Sequence, residues 1–432
     1  MPALTRPLPQ VNDVETMRIW KTWGDCRTYQ PIDARVVYVG DAAIIYEDTT
    51  APLARTMDDA YRRLGLEFDT LMWHIVRRNF GDPLAMNDEL NAVPRVRMLF
   101  TDTVKTLRPG VFGYVTLCDF LEEGTGNESS NEGAVFYALA PDSAVAAWMR
   151  EARPTVIHEV KHLAAYAERL AQGGDLEYAW LEEGTAMVAE ELYGRTLAGI
   201  PEGVTAGFGY PWLACAYSRE ASCMPTPRAL ALGFDMLYDY LWAPEGSSPL
   251  RPGDHTYGAG WSLARWAADQ SSMPEADFFS SLTQNVFAYG AENLARHIGR
   301  QFDEMVVDWH VATVLDDEPG ADAAPRPEHQ LHSWDTREVY RGMHLSDTIL
   351  FPREFPLRPH YRSFGTFVTQ HSQLGGASAS FIQITGVQSA THREIRDVRV
   401  AFAERLRREV GSVASQPRPV RKPPADRLRI GY

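Results

Sequence analysis

His158-Glu159-Val160-Lys161-His162 is the stretch of this chain whose residue types and spacing can do chemistry. Its pattern is H-E-x-x-H. On a helix, residues four apart are neighbours one turn on, so His158 and His162 point the same way. Two neutral imidazoles so placed can bind one Zn²⁺, and the intervening Glu159 is placed to take a proton from water at that metal. A short way downstream, Trp180-Leu181-Glu182-Glu183-Gly184-Thr185-Ala186 offers a carboxylate as third ligand, from Glu182 or from Glu183. Two His and one carboxylate leave the fourth position of a tetrahedral zinc to water, whose pKa the metal lowers towards roughly 7.

The elements that must position these groups are helices. Val156, Ile157, Val160, Leu163, Ala164, Ala167 and Leu170 recur at helical spacing, which predicts a helix with a buried face. Pro154 suits its opening turn and Gly173-Gly174 its end. A plain amphipathic helix would leave His158 and His162 beside that apolar face without partners, and a metal removes the cost. A second helix is expected to open near Trp180-Leu181 and run through Ala186, Val188, Ala189 and Leu192. The chain between His162 and Glu183 is long enough to end one helix, turn, and lay the next alongside.

The two segments together resemble the gluzincin metallopeptidases, which carry H-E-x-x-H on one helix and a Glu ligand on the next. Trp180 to Glu190, W-L-E-E-G-T-A-M-V-A-E, is similar to the W-L-N-E-G-x-A-x-x-x-E segment of that clan, with Glu182 where Asn is common. Within the clan the chain most resembles the bacterial hyicolysin-like branch, family M30. The resemblance is strongest over residues 154–193. It implies a zinc peptidase with His158, His162 and Glu183 as ligands of one Zn²⁺ and Glu159 as general base. The Asp that follows the ligand Glu by four residues in thermolysin is absent, since that position is Met187. Glu190 lies two turns after Glu183 on the same face. It either accepts the free N–H of a ligand imidazole or is an exposed helix carboxylate beside Glu191.

The resemblance also implies an α+β zincin-like fold, with a twisted sheet against the H-E-x-x-H helix and an edge strand that can add an extended peptide. Ala134 to Leu139, the last strand-like run before that helix, is the expected edge. Gluzincins take an oxyanion donor from the helical part after the Glu ligand. Gly253-Asp254-His255-Thr256-Tyr257-Gly258-Ala259-Gly260-Trp261 is the stretch that fits, with Tyr257 preferred and His255 second. The G-x-M-E-N-type segment of M1 aminopeptidases, which holds a substrate amine, is missing. The expected partner is a peptide or protein substrate. The alternatives are a zinc aminopeptidase rather than an endopeptidase, and a non-catalytic protein keeping a structural metal, against which the presence of Glu159 speaks.

The chain has 432 residues, enough for two or three domains, and a globular composition of 45% hydrophobic and 23% charged residues. A net charge of −15 argues against nucleic acid as partner. No apolar run is long enough to cross a bilayer. The first residues, Met1-Pro2-Ala3-Leu4-Thr5-Arg6-Pro7, lack the apolar core of a signal peptide. The resemblance nevertheless favours a secreted or periplasmic protein, and a cytoplasmic one stays open. Cys215 and Cys223 are near enough in sequence to bridge, whereas Cys26 and Cys118 are far apart, and the even count permits disulfides without requiring them.

Along the chain, residues 1–32 are Pro-bearing and are expected to form an arm. Residues 33–193 carry the sheet and the two site helices. Arg35 to Val39 and Ala42 to Tyr46 flank Gly40-Asp41, a hairpin signal. Helix is expected from Pro52 to Phe80, and strands at Val96 to Phe100, Tyr114 to Cys118 and Ala134 to Leu139. Gly124 to Gly133 is a polar, Gly-rich loop, either plain surface or a mobile rim of the site. A helical subdomain follows over 194–315, with helices at Ala229 to Leu241, Gly258 to Gln270, Ala291 to Phe302 and Phe302 to Val314. Its Trp261, Trp266 and Trp309 fall at core positions. Asp316 to Gln330 reads as a linker, and 331–432 as a small, mostly β accessory region. The scattered His74, His297, His310 and His360 lack ligand spacing and read as structural or surface residues.

Overall fold

The computed structural model describes residues 7–86, 90, 93–142, 145–251, 256–317, 326–363 and 374–385. The chain is mixed α/β, with a sheet at its N-terminal side followed by many helices. Six strands form the sheet: β1 (Val14–Trp20), β2 (Tyr29–Val39), β3 (Ala43–Asp48), β4 (Val96–Thr101), β5 (Gly113–Val115) and β6 (Val135–Leu139). Their spatial order is β1-β2-β3-β4-β6-β5. The β1–β2, β2–β3 and β5–β6 pairs are antiparallel, while β3–β4 and β4–β6 are parallel.

Period-two alternation gives the sheet two buried faces. Ile45, Met98, Phe100, Phe136 and Ala138 face the helices, packing with Val156, Val160 and Leu163. Ile44, Leu99, Val135 and Tyr137 face the other way into a smaller core with Met17, Ile19 and Trp20. The hairpin at Gly40-Asp41 forms as its sequence signals, with Val39 opposite Ile44. The Asp69 carboxylate accepts from the backbone N–H groups of Asp41, Ala42 and Ala43 and so fixes that turn.

The described helices are α1 (Asp58–Glu67), α2 (Trp73–Asn79), α3 (Thr103–Leu107), α4 (Val145–Ala171), α5 (Ala179–Ala198) and α6 (Pro211–Ala216). They continue with α7 (Ala231–Trp242), α8 (Thr256–Gln270), α9 (Glu275–Gln284), α10 (Gly290–Ile298), α11 (Phe302–Leu315) and α12 (Thr336–Ser346). Trp261, Trp266 and Trp309 are buried, as their positions predict.

Several expectations need correction. The 1–32 arm contains β1 and the start of β2, and Pro31 sits inside β2 opposite Arg18. A proline normally argues against a strand interior, which hid this one. The helix expected from Pro52 begins at Asp58 and passes through a π-helical turn at Phe68–Met72. Tyr114 to Cys118 is strand only as far as Val115 and becomes a 3₁₀ turn over Leu117–Phe120. The edge of the sheet beside α4 is β5, not β6, which lies between β4 and β5.

Pro154 does not open α4 but lies inside it. A proline has no N–H for the carbonyl four residues back. Here that carbonyl, Arg150 O, accepts from Arg228 N at 3.0 Å, so the helix runs on without an orphaned acceptor. The Arg150 guanidinium donates in turn to the carbonyls of Ser218, Cys215 and Ala216.

Both disulfides form, Cys26–Cys118 across 92 residues and Cys215–Cys223 across 8, and no cysteine is free. The Gly124–Gly133 loop is laced in place: Asn127 Nδ2 donates to three carbonyls, of Cys118, Leu121 and Glu122. Asn131 joins the loop to Arg18 of β1.

The C-terminal region also departs from expectation. Leu331, Trp334 and the α12 residues Val339, Tyr340 and Met343 belong to the main core. They are not part of a separate β unit. Beyond them, β7 (His360–Ser363) pairs in parallel with β8 (Ile382–Thr385). The expected β runs at Gly365 to Thr369 and Val398 to Ala403, and the Pro-rich Gln416 to Pro424, lie outside the described residues. So does the middle of the expected linker.

Candidate metal centre

From Val156 to Ala167 every residue of α4 is buried, and α5 is buried from Trp180 to Arg195. Polar side chains on such helices must find partners inside the protein. Two glycine contacts let the surrounding helices close in. A Cβ on Gly184 would lie 2.6 Å from the Gly260 carbonyl carbon, so α8 crosses α5 backbone to backbone beside Glu183. A Cβ on Gly258 would lie 2.3 Å from Leu237 N, so α7 and α8 are equally close.

At the α4–α5 contact, His158, His162 and Glu183 each offer one ligand atom, and those atoms all lie within 4.8 Å of one another. Glu183 Oε2 is 3.2 Å from His158 Nε2 and 3.5 Å from His162 Nε2. All three side chains are buried. Each imidazole is backed on its other nitrogen by a carboxylate from α5. His158 Nδ1 is 3.0 Å from Glu190 Oε1, and His162 Nδ1 is 2.8 Å from Glu182 Oε1. This separates the two adjacent glutamates: Glu183 faces both Nε2 atoms, while Glu182 serves the far side of His162. Glu190 is a buried partner of His158, not an exposed carboxylate.

Its second oxygen accepts from Leu230 N at 3.0 Å. Leu230 holds φ at +60°, a conformation unusual for a side chain of this type, and it is fully buried at the start of α7. That backbone turn aims the N–H at Glu190. Nothing in the sequence signals it.

The electrostatics ask for a cation. Burial opposes the charge on Glu183, yet His162 and His158 hold its carboxyl down to about 2. Burial likewise opposes charge on His162, but Glu183 and Glu182 raise it to about 10. Glu159 is driven the other way, with burial lifting its carboxyl above the usual range against the pull of the imidazoles. Among the described residues, neither Glu159 oxygen has a hydrogen-bond partner, nor has Glu183 Oε1 or His162 Nε2. Four orphaned polar atoms in one buried cluster are costly unless something absent from the polypeptide meets them. Two imidazoles and a carboxylate are the nitrogen and oxygen donors that suit a zinc ion with an open position.

Tyr257 lies half-buried on the first turn of α8. Tyr166 lies one turn beyond His162 and stacks on that ring with centroids 6.1 Å apart. Burial pushes the Tyr166 hydroxyl well above its usual pKa, and Glu182, Glu183, Glu159 and Tyr257 add to the effect. Tyr166 was not singled out in the sequence, although its spacing of four from His162 places it on the ligand face. His255 lies outside the described residues. His310 is buried in the helical core, His74 is exposed, and His297 and His360 are partly buried; none of them joins the cluster. No known protein family matches the chain and no curated protein does, so the site's own side chains carry the functional argument.

Proposed function

We propose that this chain is a zinc-dependent peptidase of gluzincin type, with a zincin-like sheet and helix pair, nearest to the hyicolysin-like branch. The observation that carries the reading is the buried convergence of His158, His162 and Glu183 next to a Glu159 carboxylate without a partner among the described residues. His158, His162 and Glu183 would hold the metal. When bound, zinc supplies a Lewis acid that polarises the scissile carbonyl and acidifies water near neutral pH. Glu159 takes the proton of the attacking water and hands it to the leaving amine. Burial raises its carboxyl above the usual range, which favours uptake of that proton. Tyr257 donates its O–H to the developing oxyanion. In this reading an extended peptide would add beside β5, the last strand of the sheet on the α4 side.

No described helix is long and apolar enough to cross a membrane. The test joins metal analysis to cleavage profiling on a mixed peptide library. One zinc per chain with peptide-bond cleavage is expected. A protein that holds no transition metal after zinc repletion overturns the reading, and zinc without cleavage leaves only a metal-containing binding protein.

A further inference from the structure

Lys161 fills one of the unspecified positions of H-E-x-x-H and is fully buried. Its Nζ lies 2.8 Å from Glu182 Oε1 and donates to the Glu182 carbonyl oxygen at 3.0 Å. The same Oε1 is the atom 2.8 Å from His162 Nδ1. One carboxylate oxygen is therefore held between an ammonium on α4 and an imidazole on α4, while the ammonium also grips the backbone of the residue preceding Glu183.

The contrast with His158 sharpens the point. Its backing carboxylate, Glu190, is held by a neutral backbone N–H from Leu230. His162 has instead a backing carboxylate held by a full positive charge. A buried lysine is expensive, and a methionine would fill the same volume without the desolvation. Packing therefore does not account for it. The buried carboxylates of Glu182 and Glu183 act on this ammonium, Glu182 in direct contact, with Arg169 opposing them. The charge has work to do there.

We infer that Lys161 is a positioning residue for the metal centre: through the shared Glu182 oxygen it fixes the ring of His162, and through the Glu182 carbonyl it sets the register of α5 that places Glu183. The inference rests on the metal reading above. Outer partners of this kind set the orientation of a ligand imidazole, and losing one weakens metal binding by on the order of ten- to a hundredfold.

The experiment compares the parent with Lys161→Met, Glu182→Gln and the double variant, all as full chains. Zinc affinity is read by competition with a chromogenic chelator, ligand geometry by the visible spectrum of the Co²⁺-substituted protein, and folding by circular dichroism. Lys161→Met should weaken zinc binding on the order of tenfold or more and alter the Co²⁺ bands. Glu182→Gln should do the same, because it leaves the ammonium without its counter-charge. In the double variant both charges leave together, so zinc affinity should recover beyond what the two single losses multiply to. The double variant also keeps the test open if a single variant does not fold. Unchanged zinc affinity and an unchanged Co²⁺ spectrum in Lys161→Met, or strictly multiplicative losses in the double variant, overturn the positioning role. A parent chain that binds no zinc fails the metal reading itself, which the parent arm reports separately.

Discussion

Gly184 and Gly260 meet backbone to backbone, and that contact sets how near α8 comes to Glu183. The neighbours of a Cβ on either residue are main-chain atoms: Gly260 C and O for Gly184, and Trp180 O at 2.6 Å for Gly260. No rotamer change can make room. Gly260→Ala should therefore push α8 away from α5 and cost about 1–3 kcal/mol, the range for overpacking a filled core. Thermal unfolding checks the stability loss, and chelator competition checks whether zinc loosens with it. Gly246→Ala, where a Cβ meets nothing within 4 Å, is the control and should stay near the parent.

Glu159→Gln separates chemistry from architecture. The amide matches the carboxylate in shape and removes only the proton acceptor, so fold and zinc content should persist. Turnover should fall by a factor of about 10²–10⁴, the scale of general acid–base assistance. Peptide cleavage at the parent rate would show that some other group takes the proton.

Tyr257→Phe tests the oxyanion donor. The ring stays and the hydroxyl goes, so packing at the start of α8 is kept. The loss should appear in kcat far more than in KM, on the order of a hundredfold, because the bond tightens as charge develops. An unchanged kcat would move the role to His255 or to Tyr166, whose ring stacks on His162.

Much of the site could be read directly from spacing. His158, His162 and Glu183 fall on two consecutive helices, α4 and α5, and the i, i+4 rule already put both imidazoles on one side. The strands at β3, β4 and β6 were legible from β-branched and aromatic runs. What stayed hidden depends on contacts far apart in sequence. Pro154 looks like a helix start until Arg228 supplies the missing donor to Arg150. Pro31 looks like a break until β1 pairs across it. The backing of Glu190 comes from a Leu230 backbone turn that no residue type announces. The first part of the supposed C-terminal unit joins the core because the Trp334 indole donates to the buried Glu191.

His310 makes an acid-sensitive contribution to stability. Burial holds this imidazole down to about 4, although Nε2 donates to Ala377 O at 3.0 Å. Its folded pKa lies below the ordinary value near 6.5, so the unfolded chain binds more protons between those values. The stabilisation is full above about pH 6.5 and is lost as the pH falls towards 4, at a total of about 3 kcal/mol. Burial raises Asp119 and Asp316 to about 7 and Asp235 to about 6, and these act in the opposite sense over the same range. The difference between parent and variant isolates the histidine. Read by urea unfolding, His310→Phe should gain stability relative to the parent as the pH falls from 6.5 to 4.5. An identical pH profile for parent and variant would rule this histidine out.

Every thiol of the chain is locked in a bridge. Thiolates are the softest zinc donors a protein has, and they compete well with imidazole and carboxylate. With all four cysteines paired, no thiolate competes, and the nitrogen and oxygen donors of α4 and α5 would keep the proposed ion. A reducing medium would change this twice over. It would release four sulfur scavengers, and it would free the 92-residue loop closed by Cys26 and Cys118, a constraint of about 4–5 kcal/mol on the unfolded chain. Redox conditions would thereby reach the proposed metal site without any cysteine touching it.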